Sequence, residues 1–192
     1  MNKTIEIYAI KEDNMNSVRI IGELIETYDG CDELYYKVRV KRSGGKDIYD
    51  DIHIILNYPF VLDIGTSYEF VGMLGHIVLH PYIPLKDVCV FVDDIYAVPE
   101  GSASYSEIAL TGVITRKLKV KTIPNRVVIM LTPDESHDSF RVVAWNRRVE
   151  YITRVEIGAR FGIWGELVTH TYKDKANTSS RTEVAFWHEN KM

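Results

Sequence analysis

Ile157-Gly158-Ala159-Arg160-Phe161-Gly162-Ile163-Trp164-Gly165-Glu166-Leu167 repeats the pattern of Ile64-Gly65-Thr66-Ser67-Tyr68-Glu69-Phe70-Val71-Gly72-Met73-Leu74. Each copy has Ile-Gly, an aromatic four residues after the Ile, a second Gly and a closing Leu. Working outward, Gly22 precedes Gly65 by 43 residues and Gly112 precedes Gly158 by 46, each inside an apolar run. A register that holds across about half of each copy marks two copies of one unit.

Hydrophobic periodicity supplies the elements. In the first unit it predicts strands over residues 17–26, 34–41, 47–56 and 65–74, then 88–92 continuing to 95–96. Leu34, Tyr36, Val38 and Val40 alternate without a fault against Tyr35, Lys37, Arg39 and Lys41. In the second unit it predicts strands over 108–116, 127–132, 140–145, 158–169 and 181–187. Val149, Ile152 and Val155 lie at helical spacing, so a short helix is expected over 147–155. In the first unit Pro59 leaves room for one helical turn at most, near Phe60 to Leu62. Five strands with a short helix between the third and fourth is the element order of an OB fold. Interior glycines suit a small barrel whose strands must bend to close. The fold class expected is all-β, two tandem five-stranded OB barrels, each with a short helix between strands 3 and 4. A pair of small sandwiches is the alternative, but would not require a helix at that place. Pro99-Glu100-Gly101-Ser102-Ala103-Ser104 is the only stretch with linker composition. The expected domains are therefore 1–98, with an N-terminal arm over 1–15, and 105–192.

The net charge of −4 divides unevenly. Residues 1–104 hold 9 Lys+Arg against 17 Asp+Glu, and residues 105–192 hold 14 against 10. A polyanion would meet the second unit first. No apolar run approaches the roughly 20 residues that span a bilayer. The segment Met1 to Glu6 lacks the apolar core of a signal peptide. Cys31 and Cys89 are the only cysteines. Together these lead to an expectation of a cytoplasmic protein.

Phe140-Arg141-Val142-Val143-Ala144-Trp145-Asn146-Arg147-Arg148 is the stretch richest in binding chemistry. Phe140, Val142 and Ala144 fall on one side, and Arg141, Val143, Trp145 and Arg147 on the other. Cations and a flat ring on one strand face are what a single-stranded nucleic acid needs. Such alternation also describes a half-buried strand with a core Trp and solvated arginines.

The second unit resembles the bacterial single-stranded DNA-binding protein family and its relative, primosomal replication protein N. The match is carried by Ala109 to Arg116, Arg141 to Glu150, Gly165 to Asp174 and Arg181 to Ala185. It covers most of residues 106–187. The resemblance implies base stacking on Trp145 and Tyr172, with Arg141, Arg116 and Lys173 as basic neighbours. Family members often carry another aromatic where this chain has Ser139. The stretch His188 to Met192 lacks the acidic tip of the family's tail, which points towards the tailless primosomal relative. In the first unit the likeness is weaker. Asp50, Asp51 and Ile52 stand there where the second unit has Ser139, Phe140 and Arg141, with Leu56 near the place of Trp145.

The expected nucleic-acid contacts are thus Trp145, Tyr172, Arg141, Arg147, Arg116, Lys117, Lys119, Lys121 and Lys173. Tyr35, Lys37, Arg39 and Lys41 form a secondary surface. Trp164 and Phe140 are read as core. Catalysis has little support. His76 and His80 are four apart on a strand leading to Pro81, no Cys pairs with them at metal spacing, and no Gly-rich loop opens a helix. Asp50-Asp51 and Asp93-Asp94 are adjacent pairs that point to opposite faces of a strand. The expectation is a non-enzymatic, cofactor-free binder of single-stranded DNA with little sequence preference, serving replication, repair or recombination. Replication proteins are further candidate partners, no membrane is expected, and a homodimer is compatible with the sequence. The alternatives are a protein-interaction accessory module of a replication or mobile-element complex, and single-stranded RNA binding.

Overall fold

In the computed structural model the described residues are 15–29, 34–43, 47–56, 60–80, 83–119, 125–134, 136–173 and 178–189. The expected arm over 1–15 lies outside them except for Met15. The first half contains β1 (Asn16–Asp29), β2 (Leu34–Lys41), β3 (Tyr49–Leu56), β4 (Ser67–His80) and β5 (Ile83–Ala97). The second contains β6 (Tyr105–Lys119), β7 (Arg126–Thr132), β8 (Phe140–Trp145), α1 (Arg147–Arg154), β9 (Arg160–Lys173) and β10 (Thr178–Glu189).

Each half closes through the same circuit. In the first, β1 pairs β2, β2 pairs β3, β3 runs parallel to β5, β5 pairs β4, and β4 returns to β1. In the second, β6, β7, β8, β10 and β9 make the same ring, again with the third and fifth strands parallel. This is the OB barrel twice over. β1 also pairs antiparallel with β6, from Asn16 opposite Leu110 to Ile21 opposite Tyr105, which joins the barrels into one ten-stranded sheet.

The repeat has a shared backbone device. The first strand of each barrel is bulged, at Leu24/Glu26 and at Ile114/Arg116, and bends there from one neighbour to the next. Gly65 N donates to Leu24 O (2.7 Å) while Leu24 N donates to Thr66 O (2.9 Å). Gly158 N donates to Ile114 O (2.8 Å) while Ile114 N donates to Ala159 O (3.0 Å). Both glycines have positive φ, 84° and 91°, which explains why the Ile-Gly pair recurs. The second glycine of each copy serves closure. A Cβ at Gly72 would lie 2.0 Å from the Phe91 carbonyl oxygen, and one at Gly165 would lie 2.2 Å from that of Ala185.

Inward residues of both barrels form one continuous core, including Val18, Ile20, Phe70, Ile108, Leu110 and Phe140. Phe140 is buried in it as expected. The helix caps the second barrel with buried Ile152. The expectation of a helix in each barrel is corrected for the first. Among its described residues, 60–66 form no helix, and half-buried Leu62 packs against the core there instead. Only ten residues separate Leu56 from Ser67, and Pro59 obstructs helical backbone before it.

β4 and β5 run beyond their expected limits as a hairpin arm that lies against the other barrel. Asp87 Oδ1 accepts from Thr182 N (2.9 Å), and the His76 ring stacks on Phe140 at 4.8 Å. The β9–β10 arm reciprocates. Thr169 N donates to buried Asp50 (2.6 Å), and Arg42 bridges Asp50 (2.9 Å) and Thr169 O (3.1 Å).

Candidate nucleic-acid interface

The outer face of the second barrel is built by Arg126, Val128 and Met130 on β7, Arg141, Val143 and Trp145 on β8, and Glu183 and Ala185 on β10. Strand register sets these side by side: Arg126 faces Trp145, Val128 faces Val143 and Met130 faces Arg141. Half-buried Trp145 ends β8, with the Arg126 guanidinium 4.8 Å from its ring centre. Beside it, Glu183 is completely buried. Its carboxylate accepts from Arg126 Nη2 (3.0 Å) and from Arg141 Nε, and His170 Nε2 lies 3.7 Å away. Burial pushes the His170 pKa down, opposed by the Glu183 charge.

Three expectations change here. Val143 lies on the outer side but is completely buried, as is Val128, so the face is not an open platform along its length. Arg141 is a partner of Glu183 rather than an open cation. Arg147 begins α1, as the helical spacing predicted, so it leaves the strand face on which alternation had set it: Asn146 turns the chain at φ 54°, and Arg147 is exposed. The basic run also divides. Exposed Arg116 pairs with Met130 and shares the Trp145 face, whereas Lys117 pairs with core residue Ile129. Lys117 Nζ donates to Thr153 O (3.2 Å) at the helix C-terminus. Its attraction to the negative end of the helix gives it a structural role. The side chains of Lys119, Tyr172 and Lys173, and all of Lys121, lie outside the described residues.

Registers also correct the alignment of the third strands. Leu74 pairs with Val90 and Val90 with Ile54, while Leu167 pairs with Val184 and Val184 with Val142. Ile54 therefore corresponds to Val142, one residue away from the sequence-based match. His53 stands in the place of Arg141, Asp51 in that of Ser139, and Cys89 in that of Glu183. Asp50 does not face phosphate, since it is buried in the contact with Thr169.

On the secondary surface each cation has a local partner. Lys37 Nζ binds Glu26 (2.8 Å) and the Tyr28 hydroxyl (2.6 Å). Arg39 makes a two-pronged contact with Asp51 (2.9 and 3.1 Å), and Lys41 lies 3.8 Å from Asp47. Tyr35 packs with Phe91 against buried Ile55, Ile77 and Cys89. This face is apolar at its centre and neutralised at its rim.

Sequence reasoning missed Arg126 and Glu183. The alternation of Arg126, Val128 and Met130 would have put Arg126 on the correct side, but nothing local pairs it with Glu183, 57 residues away. A cavity of about 230 Å³ lies between the β4–β5 arm and the second barrel, lined by His76, Asp87, Met130, Arg141 and Arg181 among others. No cluster suited to a metal ion occurs among the described residues.

Fold and face together define the class: an OB-fold chain with two barrels. Two structures of the single-stranded DNA-binding protein from Thermus aquaticus share this architecture. A deletion variant superposes with TM-score 0.69 at 17% identity, covering 92% of this chain and 94% of that one. The wild type gives 0.69 at 16%, covering 92% of both. The N-terminal domain of PriB from Thermoanaerobacter tencongensis is 26% identical over 44% of this chain and 98% of its own, with TM-score 0.32. No protein-family model matches the chain, and no curated protein matches it in sequence. Among the described residues no helix is long and apolar enough to cross a membrane.

Proposed function

We propose that this protein binds single-stranded DNA with little sequence preference, through the outer face of the second barrel, in replication, repair or recombination. The observation that carries the reading is Trp145, a half-buried indole at a strand end with a guanidinium against its ring. Exposed Arg116, Arg147 and Arg148 lie on the same barrel, and none has an ion pair among the described residues. Rings take up bases, and cations displace the counterions condensed on phosphate. The shared two-barrel architecture with the Thermus aquaticus protein supports the reading. Binding is reversible and non-enzymatic, and its setting is the cytoplasm.

A second reading, a protein-docking module, draws on one observation. The acidic first barrel displays Phe60, Val61 and Ile64, with Val61 at 99% exposure. Fluorescence anisotropy with labelled oligo-dT, its duplex and an RNA of equal length, over a salt series, separates the readings. DNA binding gives affinity for oligo-dT that falls with salt, and Trp145→Ala weakens it roughly 5- to 100-fold, the value of one stacked base. A docking module gives no affinity for any of the three. Unchanged affinity in Trp145→Ala removes the stacking assignment.

A further inference from the structure

We propose that Glu183 determines the specificity of this face by holding Arg126 and Arg141 in the barrel wall, so that neither serves as a phosphate ligand and capture depends on the indole. The inference rests on the single-stranded DNA reading above. Glu183 has no exposed side-chain surface, and the Arg126 and Arg141 side chains are only 9% and 23% exposed. A buried carboxylate stripped of its partners is strongly destabilising, so moving either arginine to a phosphate leaves Glu183 underpaired. His170 is a weaker partner than either guanidinium, because its ring lies 3.7 Å from the carboxylate and burial disfavours its charged form. Arg126 meanwhile keeps its guanidinium against the Trp145 ring and holds the indole at the rim. A duplex offers phosphates but no open base faces. Withdrawing two arginines from phosphate therefore lowers affinity for any polyanion while leaving base stacking intact, which favours single strands. The first barrel has no such device, since Cys89 and His53 occupy the corresponding places.

The test is the salt dependence of binding by the full chain, measured for oligo-dT and for duplex of the same length. Arg126→Gln should weaken oligo-dT binding about fivefold by loosening the indole, with the slope of log affinity against log salt unchanged. Arg141→Gln should also leave the slope unchanged. Glu183→Gln frees both arginines: the slope steepens, and the preference for single strand over duplex falls roughly tenfold. A slope shallower by about 0.7 in either arginine variant marks that residue as a phosphate ligand and overturns the proposal. So does a folded Glu183→Gln protein with unaltered slope and preference. Should that variant not fold, the two arginine variants decide alone. If the unmodified chain binds no oligonucleotide, the functional reading fails and this inference falls with it; binding with altered arginine slopes removes the inference only.

Discussion

The two barrels share a backbone circuit, a bulge and a pair of glycines, yet their outer faces carry opposite chemistry. Across the first barrel runs a row of Tyr35, Ile55, Phe91 and Met73, and beside it a row of Lys37, His53, Cys89 and Gly75. In the second barrel the corresponding rows are Val128, Val143, Ala185 and Glu166, then Met130, Arg141, Glu183 and Val168. The first face thus packs rings on aliphatic groups and pairs its cations at the edge. The second buries a carboxylate between two arginines and sets a Trp at the rim. Inward residues and glycines are held to type by barrel closure, because a wrong volume or an added Cβ disrupts the wall. Outward residues are free of that restraint, so function can diverge there while the fold stays the same.

Mutations in each barrel test how far the two differ. The largest effect is expected where the barrels interlock. Asp50→Ala leaves Arg42 and Thr169 N without their buried acceptor and should lower stability by about 3 kcal/mol in urea unfolding. A loss below 1 kcal/mol would show that the barrels do not depend on this contact. An intermediate effect concerns one histidine from each barrel. Burial is the main cause that lowers the pKa of both His53 and His170. The unfolded chain therefore binds protons that the native barrels refuse. Stability should be full above about pH 6.5 and decline as pH falls towards the lowered native values. His53→Gln and His170→Gln should each flatten part of that decline in the melting temperature measured against pH, and a pH-independent wild type would contradict the burial argument. The smallest effect is expected on the neutralised edge. Lys37→Ala and Arg39→Ala should each change stability by less than about 1 kcal/mol. Neither should alter oligo-dT affinity or its salt slope, and a reduced slope would show that the first barrel also meets the strand.

Much of the fold was legible because it rests on local patterns. Alternation in Leu34 to Lys41 gave β2 at its observed limits, and the Ile-Gly repeat marked equivalent places in the two units, although Gly65 and Gly158, expected to open strands, form positive-φ turns ahead of β4 and β9. The arms were not legible. The predicted strands stop at Leu74 and resume at Val88, but β4 and β5 extend to His80 and from Ile83 because pairing with each other and docking on the second barrel outweigh local preference. The third-strand alignment slipped by one residue for a related reason. Neither Asp50-Asp51 nor Ser139 declares which side it takes, and one step of slip exchanges the two faces of a strand.

The candidate site was legible as a set of residue types and not as a set of roles. Arg141 and Trp145 were on the side expected, but alternation cannot show that Val143 between them is covered or that Arg141 serves a buried carboxylate. Local patterns along the chain were enough to read two all-β units, their order, their glycine-marked bends and the concentration of cations in the second half. Periodicity and charge are properties of neighbours along the chain and can be read there. Which cations remain open and which are held is set when the barrels close. An ion pair such as Arg126 with Glu183 depends on a distance through space, and the chain leaves no local trace of a partner it meets only once the barrel has closed.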